Sequence, residues 1–539
     1  MNKLKLLVRF FFRRFFSNNP GLLFGLLAAP GALLTMVLNQ KYSPLAHFGR
    51  KQFDFDPSVQ SLSDKYLFIA ICMTVAGLVA ALRSGTLFPD RQDHANLAPL
   101  PVDLRQLLAA KAVALAGFLL AVIASMNAVS SLLFPAIVLS TSTFAKFFRF
   151  SLAHAVALSA AALFMFCTVL AVQGLLMSVL PFAWFTRVKR FVQFAWVVAL
   201  LTLLFVTGPA MKEIDLLRAG GSTWATALPG MWFVGLYQTV QGVYMGPLSD
   251  LWPKAVQAVS ASFLLAVAGY ALSYRWYFLK SAESAGSSLR TLRMPDGIFR
   301  VLDRVVFRTG FDRSCFRFIA RTVARSDRHS AAFAGIMGLG VALAAVAATS
   351  GHLYGLLTAS LILLYSLMTA LQFSFGIPAD LDAMWVFRVA SHPDADPLSL
   401  VKRTLLCFAA MVIFPSAAVL AIDQSWTAVA VHFLFLWLAA IGLVDVLTIG
   451  FRAVPFTCIW MPYRNNAVMP LAVWCAGLAF FGPGLAGFER VLLIVPHRLI
   501  WFLVLVAVVI YLCRRGEDLK QPVAWSDTRG DLELLRICD

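Results

Sequence analysis

The chain has 539 residues, of which 60% are hydrophobic and 13% are charged, and its mean hydropathy is +0.78. No water-soluble domain can hide that much apolar surface, so the composition predicts an all-α integral membrane protein. The net charge of +18 comes from basic residues in short segments between apolar runs. That placement favours membrane topology and anionic lipid over nucleic acid as the reason for the charge.

Apolar segments of the length that crosses a bilayer recur along the whole chain and predict about twelve spanning helices. Five basic residues precede the first segment, which places the N-terminus in the cytoplasm and, with an even number of spans, the C-terminus as well. Residues 3–16 predict a basic amphipathic helix in the membrane interface. The predicted spans are 21–38, 66–82, 112–139, 151–181, 191–207, 257–279, 331–350, 355–375, 404–422, 426–449, 467–485 and 491–513.

A long basic segment divides the chain into two six-helix halves. Arginines recur every four residues on both sides of Gly310, which predicts two surface helices resting on anionic headgroups. We therefore expect a first transmembrane half at 1–279 with its N-terminal interfacial helix, a basic cytoplasmic linker at 280–330, a second half at 331–513 and a cytoplasmic tail at 514–539.

The predicted exterior loops of the two halves differ in length. Residues 208–256 contain the apolar run 227–240, which is too short to span but apolar enough to enter the outer leaflet. The corresponding loop of the second half is predicted at 486–490. The halves are therefore expected to be unequal on the outside.

Several catalytic motifs are absent from the sequence. It contains no GxxxxGK[ST] phosphate loop, no HExxH and no GxSxG. We expect no catalytic residue, metal site or cofactor in this chain. Ionisable residues within the predicted spans are sparse, and Asp445 with His432 forms the candidate intramembrane polar site.

Two polar interruptions, 85–111 and 376–403, lie in corresponding interior positions of the two halves. Each combines a proline break, acidic residues suited to cap a short helix, and a basic return to the membrane. Matched interior loops of this kind are expected to bind a partner. The residues expected to do so are Pro89, Asp90, Arg91, Asp93, Leu97 and Arg105 in the first loop, and Asp380, Asp382, Trp385 and Arg388 in the second.

The run Leu-Phe-Pro-Asp-Arg-Gln-Asp-His-Ala-Asn-Leu-Ala-Pro-Leu-Pro-Val at 87–102, with Lys111 after it, resembles the exporter-type permeases of the ATP-binding-cassette superfamily. The runs 375–381 and 454–464 resemble long, fused bacterial members. The resemblance implies an elbow helix at 3–16, a multi-pass bacterial inner-membrane location, and interior loops that dock two copies of a separate cytoplasmic ATPase. ATP would then be bound by that partner, and the substrate would be exported, with an amphiphilic or lipid-like cargo favoured by the apolar spans.

Two other functions stay open. An ion-coupled secondary transporter would depend on Asp445, and Gly85 to Arg91 also resembles a loop of major-facilitator carriers. A polytopic membrane transferase would need an exterior or interfacial acid–base pair. The loop 208–256 offers Glu213, Asp215 and Asp250 for it, and the first exterior loop offers Asp54 and Asp56.

Overall fold

The computed structural model describes residues 3–15, 20–48, 60–88, 103–139, 143–219, 224–283, 302, 306–307, 309–349, 353–377, 379, 397–449, 455–456, 468–495, 497 and 499–517. Within these ranges the elements are helices, without strands, and ten helices are long and apolar enough to cross a membrane. The prediction of an all-α, multi-pass membrane protein is confirmed. The ten coincide with the second to eleventh predicted spans, whereas the apolar part of the last one, Ile500–Cys513, is shorter.

The described residues pack into two compact units, one ending at Glu283 and the other beginning at Leu302. The helices of the first unit are α1 (Lys3–Phe15), α2 (Pro20–Phe48), α3 (Leu62–Leu82), α4 (Leu104–Ala128), α5 (Ser130–Val138), α6 (Phe144–Val179), α7 (Phe182–Phe205), α8 (Thr207–Lys212), α9 (Ile214–Arg218), α10 (Pro229–Gln241) and α11 (Trp252–Glu283).

Helix α6 is the centre of the first unit and packs against α3, α10 and α11. Small residues allow the closest of these approaches. A Cβ added at Gly174 of α6 would lie 2.8 Å from the carbonyl carbon of Gly269 in α11. Backbones this close are typical of membrane helices, which associate through packing rather than through a hydrophobic driving force.

The apolar run of the long loop 208–256 forms α10, a buried helix of 13 residues. Pro229 begins it, and Gly242 ends it with a left-handed φ of 78°. Gly235 packs on the backbone of the segment that leads into α11, because a Cβ there would lie 2.6 Å from the Leu248 carbonyl oxygen. Helix α10 is thus built into the unit through contacts with α3, α6 and α11.

The second unit contains α12 (Gly310–Arg325), α13 (Asp327–Ala348), α14 (Leu353–Phe375), α15 (Pro397–Asp423), α16 (Trp426–Leu447), α17 (Val468–Ala479), α18 (Leu485–Ile494) and α19 (Leu499–Glu517). A π-helical turn, Phe480–Gly484, joins α17 to α18. The prediction of an exterior loop at 486–490 is wrong, because those residues lie within α18. The turn accommodates Pro483, whose carbonyl accepts a hydrogen bond from the Tyr354 hydroxyl at 3.0 Å.

Each unit begins with a basic amphipathic helix. Helix α1 buries Leu7, Phe11 and Phe15 and packs against α4, with its basic residues on other faces. Helix α12 packs against α13 and α15, and the Thr309 hydroxyl caps it by accepting from the Asp312 amide at 3.1 Å. Most of the linker helix predicted before Gly310 lies outside the described residues.

Candidate functional site

The central part of the first predicted interior loop, 89–102, lies outside the described residues, and so do Pro89, Asp90, Arg91, Asp93 and Leu97. Both of its ends are described. It is preceded by the turn Ser84–Leu87 and followed by α4, where Arg105 is exposed in the first helical turn.

Charge-assisted hydrogen bonds fix the base of this loop. Lys111 of α4 is 1% exposed and donates from Nζ to the Phe88 carbonyl oxygen at 2.8 Å, with its ammonium 5.3 Å from the ring centre of Phe11. Arg83, at the end of α3, donates to the Phe15 carbonyl at the end of α1 at 3.2 Å. Helices α1, α3 and α4 therefore meet where the chain enters the loop.

The second interior loop is anchored in a comparable way, although Asp380, Asp382, Trp385 and Arg388 also lie outside the described residues. The Ile377 carbonyl lies 2.9 Å from His329 Nε2, at the start of α13. Since a carbonyl only accepts, Nε2 carries the proton and donates. The other ring nitrogen lies 2.7 Å from the Ser326 hydroxyl, which holds the imidazole in this orientation.

A second contact at the same place comes from Phe456, whose φ of 68° is unusual for a side chain of this size. Its amide donates to the Phe375 carbonyl at 3.0 Å, and its own carbonyl accepts from the Ala379 amide at 3.1 Å. Its ring is fully buried and packs edge-on against His329. Phe456 belongs to the run 454–464 that resembles the fused bacterial members, but its contact with the loop base joins residues distant in the sequence and has no local sequence pattern.

The two residues of the candidate intramembrane site have different partners. Asp445 of α16 is 2.6 Å from Nζ of Lys402 in α15. His432 lies 13 positions before Asp445 on the same helix. It is 2.5 Å from a carboxylate oxygen of Glu489 in α18, and both side chains are almost completely buried. Sequence reasoning missed Glu489 because it assigned that residue to an exterior loop.

A further buried polar cluster lies in the first unit, at the start of α3. The fully buried Lys65 donates to the Gln241 side chain of α10 at 2.8 Å and lies 4.9 Å from the ring centre of Tyr237. His154 of α6 is 3.1 Å from the Tyr237 hydroxyl, and Asp64 forms an ion pair at 2.7 Å with a lysine of α2. The predicted span beginning at 66 left both Asp64 and Lys65 outside the membrane segment, so this cluster was also missed.

The described residues contain no group of three His, Cys, Asp or Glu side chains arranged to hold a metal ion. Among the acids considered for a transferase, Asp250 is exposed and accepts a hydrogen bond from the Tyr244 hydroxyl at 3.1 Å. Polar contacts between helices thus occur at the two loop bases, at the partners of Asp445 and His432, and around Lys65. Comparisons of the chain with protein-family models, curated proteins and solved structures found no match.

Proposed function

We propose that this chain is the membrane permease of an ATP-driven exporter whose energy comes from a separate cytoplasmic ATPase. It would cross a bacterial inner membrane about twelve times, in two six-helix halves with both termini in the cytoplasm. Two ATPase subunits would dock on the loops 85–111 and 376–403. The apolar spans favour an amphiphilic or lipid-like cargo.

The anchoring of the two loop bases is the observation that carries this proposal. A docking loop transmits movement only if its ends are tied to the helices that must move. Lys111 ties Phe88 to α4, and His329 ties Ile377 to α13. Each side chain bonds a backbone carbonyl where its loop leaves the preceding helix, so a displacement of the loop base is passed to the helix that carries the donor.

The permease would change state through differential binding of its partner. The ATPase pair must bind one arrangement of the loops more tightly when ATP is bound than after hydrolysis, since a partner with equal affinity for both states shifts nothing. A displacement of the first loop would then reach α1, α3 and α4 together through Lys111 and Arg83. Rigid-body movement of packed helices is an established way to convert such a displacement into access on the other side.

The first experiment tests docking. The chain is purified together with phosphate-loop ATPases encoded beside its gene, and complex formation and ATP turnover are measured. Reversal of charge by Asp90→Arg with Arg91→Glu is expected to abolish both the complex and the stimulation of turnover. Asp423→Arg, an exposed carboxylate at the end of α15, is the matched control. Wild-type assembly and turnover in the double variant would refute the proposal.

The second experiment tests the anchor. Lys111→Met keeps the aliphatic stem but removes the ammonium that holds Phe88. We expect this variant to bind the ATPase and hydrolyse ATP while substrate movement falls, because the loop can then shift without its helices. Lys146→Met, which removes an exposed lysine of α6, should leave transport unchanged. Equal transport in both variants would show that the anchor does not couple the loop to the helices.

An ion-coupled carrier is the second candidate, and the buried His432–Glu489 pair favours it. A carboxylic acid and an imidazole in contact within a span can exchange a proton, as coupled transporters require. The chain alone, reconstituted in liposomes, should then take up substrate under a proton gradient without ATP, and Glu489→Gln should abolish that uptake. Transport that requires the ATPase would exclude this candidate.

A further inference from the structure

An open groove of about 690 Å³ runs along α12 in the second unit. Two guanidinium groups, three hydroxyl groups and one aromatic ring line it, together with the backbone at the base of the second loop. The side chains concerned are those of Ser314, Arg317, Phe318, Arg321, Thr322 and Ser326.

The groove follows from the spacing of the residues along α12. Ser314, Arg317 and Arg321 are separated by three and four positions, so they share one face of the helix. The only acid of α12, Asp312, points elsewhere and pairs with Arg403 of α15 at 3.3 Å. The groove face therefore presents positive charge and hydroxyl donors with no acid from its own helix.

This set of groups matches a phosphate. Guanidinium groups bind phosphate oxygens in bidentate fashion, and the hydroxyl groups of Ser314 and Thr322 can donate to phosphate oxygens as well, whereas the Ser326 hydroxyl already donates to His329. We propose that the groove binds the phosphate headgroup of an anionic phospholipid.

Two observations favour a phospholipid over a free phosphate. Ser326, in the groove lining, directly precedes α13, whose apolar span begins at His329, so the groove lies where headgroups meet a spanning helix. The half-buried ring of Phe318 lies in the wall beside the arginines and offers an apolar surface to the glycerol and upper acyl chains. A soluble phosphate would gain nothing from that ring. The site is independent of what the spans transport.

Binding can be measured on the full-length chain in detergent, by titration with phosphatidylglycerol, phosphatidylcholine or inorganic phosphate. Phosphatidylglycerol is expected to bind most tightly. Arg317→Gln with Arg321→Gln should weaken that binding about tenfold or more, since two charge-assisted contacts are lost. Arg9→Gln with Arg13→Gln on α1 removes the same charge from the other basic amphipathic helix and should leave most of the binding intact.

If the double variant proves unstable, the single variant Arg321→Gln can be used instead. Arg321 is exposed, so its replacement should not disturb the fold. Equal loss of binding in the α1 and α12 variants would overturn the site, because it would show only general attraction between charges. Competition by inorganic phosphate as strong as by the lipid would also overturn it. A third result would overturn it as well. The variant that lacks both groove arginines can also be given Asp380→Asn and Asp382→Asn, and tighter lipid binding after these additions would show that the lipid lies elsewhere.

Discussion

Removal of Glu489 offers a direct test of how the second unit is held together. Glu489 and His432 are 0% and 1% exposed, and their contact of 2.5 Å joins α16 to α18. Replacement of one partner of such a buried pair costs about 3–5 kcal/mol, because the other is left without its partner and away from water. At about 2–4 °C per kcal/mol for a unit of this size, Glu489→Ala should lower the unfolding temperature by roughly 6–20 °C.

Replacement of both partners should have a much smaller effect. His432→Leu with Glu489→Met fills a similar volume without any buried polar group, and such exchanges are often neutral. Thermal unfolding of the purified chain in detergent can be followed for the two single variants, the double variant and Asp423→Ala, an exposed control expected to change stability by about 0.5 kcal/mol or less. A double variant as unstable as Glu489→Ala would refute the reasoning, because the loss would then come from shape rather than from the broken pair.

Three further outcomes are expected. Gly174→Ala should destabilise the first unit, because its Cβ would lie 2.8 Å from the backbone of α11, whereas Gly208→Ala, with open space around it, should be neutral or stabilising in the same unfolding assay. A variant that keeps only Cys315 should react very slowly with maleimide at pH 8 and faster as pH rises, because burial and then the nearby Asp312 raise the pKa of that thiol to about 12; rapid labelling of the folded chain would contradict this. Phe456→Gly relieves a left-handed backbone by about 1–2 kcal/mol but removes a buried ring that contributes about 3–5 kcal/mol, so a net loss of stability is expected, and a gain would show that strain outweighs packing.

The positions of ten spans could be predicted because a membrane imposes a one-dimensional requirement, namely enough consecutive apolar residues to cross it. The same approach failed at 486–490. Gly482, Pro483 and Gly484 suggest a turn, yet a π-helical turn carries the chain through them into α18. The hydrogen bond from Tyr354 to the Pro483 carbonyl joins residues 129 positions apart, and no local pattern contains that information.

The buried positions of Lys65 and Glu489 could not be predicted from the sequence for a related reason. Lys65 and Glu489 were assigned to loops, since a charged residue lowers the local hydropathy and ends a predicted span. In the folded chain each has a partner supplied by another helix, Gln241 for Lys65 and His432 for Glu489. A charge that is satisfied by a distant residue can lie within the packed helices, so hydropathy alone shortens spans where such charges occur.

The two interior loops have similar composition, but their anchors are different and lie outside them. The first is held by Lys111 of the helix that follows the loop, and the second by His329 of the helix two before it together with the backbone of Phe456. A displacement of the first loop would therefore act mainly on α1, α3 and α4. A displacement of the second loop would act on α13 and on the segment after α16 that contains Phe456. If both loops dock an ATPase, exchange of residues 89–102 for 378–396 should preserve binding and lose transport. The coupling of ATPase binding to helix movement depends on the helices that hold each loop, and the residues within a loop do not determine which helices those are.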